Sequence, residues 1–223
     1  MPLFSNEALV LDRLEVGPFM VNSYILGCQK TRIGAIIDPG DSGDQIIARA
    51  KELNLDIKYI FNTHGHVDHI IENGYVKEKT EAQIVIHKLD APLLTDAQKN
   101  TSALLGMPVT SPPPDLFFED GEDFNLGELT LKVFHAPGHS RGSVCLYHDP
   151  IAIVGDVLFA GSIGRTDLLG GSYDVLINSI RSKLLPLGDA VTAYPGHGPE
   201  TTLGHERKTN PFLNESSAGW LQL

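Results

Sequence analysis

Three imidazoles and one carboxylate fall within six residues at His64-Gly65-His66-Val67-Asp68-His69, directly after the apolar run Tyr59-Ile60-Phe61. Neutral imidazole and carboxylate are ligands that divalent transition metals take. His64 and His66 stand two apart, so a near-extended backbone projects both to one side, as two ligands of one ion require. Asp68 and His69 come where Ile70, Ile71, Tyr75 and Val76 open a helix-like spacing, and the turn into that helix can aim them at a second point nearby. A plainer reading makes Asp68 the cap of that helix and leaves the histidines on the surface. The density of ligand types in so short a window favours the metal.

Three later places supply what a metal pair would still lack: Pro137-Gly138-His139-Ser140, Val154-Gly155-Asp156-Val157 and Pro195-Gly196-His197-Gly198-Pro199. Each candidate ligand lies beside a glycine at the end of a β-like run, where the backbone can turn sharply and approach an ion closely. Asp38-Pro39-Gly40 offers an outer group that orients a ligand or, equally, a simple turn closure. Of the remaining histidines, His87, His148 and His205 read as surface or satisfied residues, and His135 as a structural neighbour of His139. Arg165 and Thr166 are candidates for substrate contact, since a guanidinium can hold a carboxylate bidentately. Arg165 could instead pair with Asp167 to fix its own loop. Tyr173 is a third candidate contact.

The elements that position these groups follow from periodicity. Strands are expected at Leu9 to Val16, Phe19 to Leu26, Ile33 to Ile37 and Ile57 to Asn62, with a helix from about Ser42 to Leu53. A helix follows His69, then a short strand at Gln83 to His87 and a helix at Asp90 to Gln98. The proline-rich patch Pro108 to Pro114 cannot be the interior of a regular element and is expected to join two halves of the fold. The second half repeats the logic, with hairpins around Leu129 to Phe134 and around Ser143 to Tyr147 with Ile151 to Val154. A late helix is expected from Tyr173 to Leu185, and a last strand at Val191 to Tyr194.

The H-x-H-x-D-H motif, the later PGH, GD and GHG elements, and their order resemble a metallo-β-lactamase-fold hydrolase of the glyoxalase II-like branch, the hydroxyacylglutathione hydrolases of small bacterial type. The resemblance covers essentially the whole chain. It implies an α/β fold, a four-layer αββα sandwich formed by one domain over residues 1–223, with its two halves joined near 108–114. It also implies that His64, His66 and His139 hold one divalent metal, that Asp68, His69 and His197 hold another, and that Asp156 bridges them. Asp68 and Asp156 are then the catalytic carboxylates, and zinc, iron or manganese the candidate ions. The implied reaction is cleavage of a thioester such as S-lactoylglutathione, or of a related acyl bond, by a metal-bridging hydroxide. Two departures from the usual pattern are Ile71, where glycine is common, and Arg141, where proline is common.

The same letters also resemble persulfide dioxygenases, in which His64, His139 and Asp156 would hold a single iron with open positions for oxygen. A metal-binding protein without activity is a third reading, disfavoured by the complete ligand set. The glutathione-specialised hydrolases carry a C-terminal helical extension, whereas this sequence ends at Leu223, soon after Asn210-Pro-Phe-Leu213, which implies loose selection of the thiol moiety.

A chain of 223 residues can build one sizeable core. Its 17 basic and 28 acidic side chains leave a formal net charge of -11, which makes a nucleic-acid partner unfavourable. The two cysteines, Cys28 and Cys145, sit in apolar runs and read as small buried hydrophobes. With neither a secretory pattern nor a membrane span in the sequence, the expected setting is the cytoplasm and the expected partner a small-molecule thioester.

Overall fold

Two sheets face each other, one from each half of the chain. The computed structural model describes residues 1–214. The first sheet has seven strands in sequence order: β1 (Phe4–Ser5), β2 (Leu9–Val16), β3 (Val21–Cys28), β4 (Ile33–Ile37), β5 (Asp56–Phe61), β6 (Gln83–His87) and β7 (Leu116–Phe118). It is antiparallel from β1 to β4 and parallel from β4 to β7. The second half supplies β8 (Asp123–Leu126), β9 (Leu129–His135), β10 (Val144–His148), β11 (Ile151–Gly155), β12 (Leu158–Phe159), β13 (Ser162–Ile163), β14 (Thr192–Pro195) and β15 (Thr201–Thr202). Its six-stranded sheet runs β15-β14-β11-β10-β9-β8, and β12 and β13 form a separate two-stranded ribbon.

Alternation along the strands divides the core. Ile37, Phe61, Leu11 and Leu26 point inward to meet Leu131, Val133, Leu146 and Ile153 of the other sheet. Their sequence neighbours Ile36, Ile60, Val10 and Ile25 point outward, where they are covered by helix α1 (Gly43–Glu52), through Ile46, Ile47 and Ala50, and by Val76 of a second helix. On the far side Leu176, Ile177, Ile180 and Leu184 cover Ala152, Val154 and Ala193. Strands buried on both faces read as continuous apolar runs, which is why β4 and β11 lack polar alternation. Each fully buried Leu or Ile contributes about 1.5–3 kcal/mol of apolar transfer. The result is the expected four-layer αββα sandwich.

Several boundaries shift for physical reasons. β3 starts at Val21 because Gly17 to Met20 form a turn closed by the Met20 amide on the Gly17 carbonyl, and Met20 takes φ +52°. The helix after His69 is two pieces, α2 (Val67–Ile70) and α3 (Asn73–Thr80). α4 covers Ala91–Thr95 only, because Asp96 leaves the helix and its carboxylate accepts the backbone N–H groups of Gln98 and Lys99. The late helix keeps its apolar stripe but not one geometry: α5 (Tyr173–Ser179) passes into a π turn at Ile180–Leu184 and a 3-10 turn at Leu185–Leu187, where Pro186 can donate no helical hydrogen bond. The final helix is α6 (Leu203–Thr209).

The expected junction near 108–114 is displaced. The proline run stays in the first half, where the Ser111 amide donates to the Leu94 carbonyl and the segment delivers β7 to the sheet edge. The chain crosses to the second sheet at 119–122, a turn in which the Glu122 amide meets the Glu119 carbonyl. Polyproline geometry suits such an extended edge approach. The stretch 215–223, on which the expectation about thiol selection rests, lies outside the described residues. Among the described residues no helix is long and apolar enough to cross a membrane. Cys28 and Cys145 are buried free thiols.

Of the two readings open to His87, surface or satisfied, the structure shows the second: its Nδ1 accepts from the Leu89 amide at 3.3 Å. His87 is buried at the end of β6 and stacks on His135, with ring centroids 4.0 Å apart and planes 12° apart. Burial, followed by the His135 charge, pushes its pKa down from 6.5 to about 4. The unfolded chain therefore binds more protons between those two values, so the contribution to stability is complete above pH 6.5 and is lost as pH falls towards 4. We expect the melting temperature of a His87→Gln variant to fall less steeply than that of the native protein from pH 6.5 to 4.5; parallel slopes would contradict this account.

Candidate metal centre

The ligand loops leave the sheets at one edge. Asp38 follows β4, the His64 loop follows β5, Asp156 follows β11 and His197 follows β14, all at the carboxyl ends of parallel strands. That edge is where open α/β sheets present their crevice. His139 reaches the same place from the turn between β9 and β10.

Two clusters result. His66 Nδ1 and His64 Nε2 lie 2.9 and 3.2 Å from His139 Nε2, so three ring nitrogens converge on one point. In the second cluster Asp68 Oδ2 lies 3.2 Å from His197 Nε2 and 3.6 Å from His69 Nε2. Asp156 stands between them. Its Oδ1 is 3.5 Å from His69 Nε2, and its Oδ2 is 3.6 Å from His139 Nε2 and 3.7 Å from His197 Nε2. The fit to metal ions rests on two atoms in particular. His69 Nε2 and Asp156 Oδ1 are buried with no hydrogen-bond partner, a costly arrangement that a cation between them would relieve.

The rings are aimed by groups behind them. Asp38 accepts from the Thr63 amide at 2.8 Å, from Thr63 Oγ1 at 2.6 Å and from His69 Nδ1 at 3.1 Å. A carboxylate can only accept here, so His69 carries its proton on Nδ1 and presents Nε2 to the site. The Thr63 hydroxyl, having donated to Asp38, accepts from His64 Nδ1 at 3.1 Å. His139 Nδ1 donates to the Arg165 carbonyl at 2.9 Å. Of the two roles open to Asp38, orientation is the one it performs.

Charge is divided between the clusters. Burial, then neighbouring imidazoles, drives the pKa of His64 well below 6.5, and burial and His139 lower that of His66 to about 3. Both are neutral at physiological pH, the form in which an imidazole can take a metal. Burial also opposes charge on His69, but Asp68, Asp156 and Asp38 outweigh it and raise its pKa well above 6.5. Burial works against ionised Asp156 too, yet the His69 charge holds it well below the usual carboxylate range. Protons on His69 thus occupy the electrostatic place that a bound cation would take.

Asp90 is a site residue that its sequence context does not reveal. It is fully buried at the start of α4, where Oδ1 accepts from the Gly142 amide at 2.6 Å and Oδ2 from Ser140 Oγ at 2.6 Å and the Gly65 amide at 3.1 Å. It thereby ties the His64-His66 loop to the His139 loop. Asn22 performs the same task for His197: its Nδ2 donates to the carbonyls of Pro195 and Gly198 at 2.9 and 2.8 Å, and the Tyr24 hydroxyl donates to that of Pro195 at 2.7 Å. Gly196 is required by space, since a Cβ there would lie 2.2 Å from Asp156 Oδ1 and 2.8 Å from His69 Cε1.

A cleft of about 520 Å³ opens over both clusters and is lined by His66, Asp68, His139, Asp156 and His197 at its base. Arg165 lines it, but its guanidinium is held bidentately by Asp167 at 2.8 and 2.7 Å. Thr166 and Tyr173 lie outside the residues lining this cleft. Tyr173 begins α5, half-exposed. Arg141 is exposed and borders a smaller cavity of about 210 Å³ beside the main cleft. His135 Nε2 meets the Arg141 carbonyl at 2.8 Å and so braces the His139 turn.

The Metallo-beta-lactamase superfamily model matches residues 16–197. The chain belongs to the metallo-beta-lactamase superfamily. Within that superfamily it is 41% identical over 205 residues to the probable metallo-hydrolase YqgX of Bacillus subtilis, covering 91% of this chain and 96% of the relative. It is 38% identical over 187 residues to the hydroxyacylglutathione hydrolase GloC of Haemophilus influenzae, covering 82% and 88%. Among solved structures, the BLEG-1 B3 metallo-beta-lactamase superposes with a TM-score of 0.87 at 37% identity, covering 92% of this chain and 99% of the other. TTHA1623 in a di-iron-bound form gives 0.80 at 34%, covering 90% and 99%. The superfamily fold and a histidine-rich candidate metal site therefore stand together in one chain.

Proposed function

We propose that this metallo-hydrolase cleaves thioesters, S-lactoylglutathione among them, with two divalent ions, zinc being the first choice and iron or manganese compatible with the same ligands. The observation that carries the reading is the Asp156 carboxylate, which turns one oxygen to His69 and the other to His139 and His197, so that it is shared by both clusters. His64, His66 and His139 would hold the first ion, and Asp68, His69 and His197 the second. When bound, such a pair supplies Lewis acidity towards a carbonyl oxygen and water of near-neutral pKa. The chain contributes the rest. Asp38, Thr63 and the Arg165 carbonyl fix the tautomers of His69, His64 and His139. The half-exposed His197 and the partly exposed Asp68 face the cleft, where the scissile group would enter. Hydrolysis needs no protein nucleophile in this arrangement.

A small molecule is the partner this reading requires, in the cytoplasm, without nucleic acid or membrane. Similarity to a named hydroxyacylglutathione hydrolase supports the thioester class. A one-iron dioxygenase would use His64, His139 and Asp156 and leave the Asp68, His69 and His197 cluster without an ion, whereas the two-ion reading employs all seven groups. The test compares anaerobic turnover of S-lactoylglutathione, with solvent oxygen appearing in the acid product, against oxygen uptake with glutathione persulfide. Oxygen uptake without thioester turnover would overturn the hydrolase reading.

The second cluster has its own test. Asp68→Ala should leave at most one tightly bound ion per chain by elemental analysis and lower turnover at least about tenfold. Two retained ions with native turnover would remove Asp68 from the ligand set.

A further inference from the structure

We propose that the cleft selects neutral, apolar acyl groups, so that the preferred substrates of the hydrolase are thioesters of aliphatic acids rather than of charged or peptide-like moieties. This rests on the thioesterase reading above. Above the metal clusters the cleft is walled by Leu104 and Leu105 on one segment and by Phe159, Ile163 and Leu168 on another, with Phe19 from the turn between β2 and β3. Leu104 is 81% and Leu105 49% exposed on a 3-10 turn, Ser102–Leu105, whose own polar groups are tied inward: Ser102 Oγ accepts from the Val109 amide, and Asn100 Nδ2 donates to the Val109 carbonyl. Two adjacent large apolar side chains held out at the mouth of a cleft are unfavourable in water unless they meet a partner.

Electrostatics point the same way. Arg165 is the sole cationic side chain other than histidine among the residues lining the cleft, and Asp167 already occupies its fork. Away from the ions at the base, an anionic acyl or thiol group would meet no unpaired guanidinium or ammonium on these walls, and the chain as a whole carries a formal charge of -11. A volume of about 520 Å³ is within the range of small-ligand sites, which are mainly apolar with a few placed polar groups.

The experiment uses the full chain with one neutral thiol, N-acetylcysteamine, acylated with acetyl, butyryl, hexanoyl and octanoyl groups and with succinyl as the charged control. We expect kcat/KM to rise by up to about fourfold per added methylene until the cleft is filled, as expected for burial of each CH2 group, and to fall at least about tenfold for succinyl against butyryl. Leu104→Asp, at a side chain too exposed to be needed for folding, should cut the octanoyl-to-acetyl ratio by at least about fivefold. Calorimetric binding of the S-octyl and S-ethyl thioethers, which cannot be hydrolysed, gives a readout without turnover and should show the octyl compound binding more tightly. A flat acyl series, or preference for succinyl or glutathionyl compounds, overturns the apolar selection and leaves the hydrolase standing. Tight octyl thioether binding without turnover of any thioester leaves the apolar cleft and overturns the hydrolase.

Discussion

Replacing Asp156 by Ala is expected to abolish tight binding of both ions and to lower thioester turnover by roughly a thousandfold, equivalent to about 4 kcal/mol of transition-state stabilisation. The size follows from position. Asp156 lies within 4 Å of ring nitrogens from both clusters, at 3.5 Å from His69 and 3.6 Å from His139. Its removal also leaves His69 buried with one fewer of the three carboxylates that support its charge. Elemental analysis and steady-state kinetics on one preparation check this. A variant that keeps two ions per chain and a tenth or more of native turnover would show that Asp156 does not bridge. The Asn variant, nearly the same in shape, separates charge from packing: it should retain the native melting temperature more closely than Ala and still lose ions.

Asp90→Ala is expected to be the most destabilising single change near the site. Burial raises the Asp90 pKa, and its two oxygens satisfy two backbone N–H groups and the Ser140 hydroxyl. Ser143 Oγ, 2.7 Å from Ser140 Oγ, can still accept from that hydroxyl, but the two buried amides lose their acceptor at about 1–3 kcal/mol each, so a total of roughly 4 kcal/mol is expected. In a chain of this size that lowers the melting temperature by about 10 °C. Because Gly65 and Gly142 flank the His64-His66 and His139 loops, metal affinity should fall in the same variant although no ligand has been touched. A melting temperature within about 2 °C of native would show that water or a neighbouring group replaces the carboxylate.

Asp90 also marks the limit of what the sequence discloses. The candidate metal ligands are legible because each sits in a short window with its own punctuation: His64 and His66 two apart, and His139, Asp156 and His197 each against a glycine at a strand end. Asp90 sits in no such window. Its partners are 25, 50 and 52 residues away, and nothing in Lys88-Leu89-Asp90-Ala91 distinguishes it from a helix-starting aspartate. Asp38 was open to two readings because a turn before Pro39-Gly40 and an orienting carboxylate call for the same residue type, and only the distance to His69 separates them. The fold was legible in its apolar periods, which fix the faces of β4, β5 and α1. Periodicity failed at the breaks. The stripe from Leu176 to Leu185 is continuous, but a π turn carries the same face as an α-helix over so short a run, so spacing cannot tell them apart. The proline run signalled a surface connection without saying on which side of the sheet crossing it lies.

Each metal cluster draws from both halves of the chain. His64 and His66 are met by His139, and Asp68 and His69 by His197. Ions bound there would act as clasps between the two halves of the sandwich. By mass action, any ligand confined to the folded form adds stability that grows with its free concentration, about 2.7 kcal/mol at one hundred times its dissociation constant. On the two-ion reading, the separation of the halves would be buffered by the metal supply of the surroundings, and a chelator would loosen the seam between the sheets as well as stop the proposed chemistry.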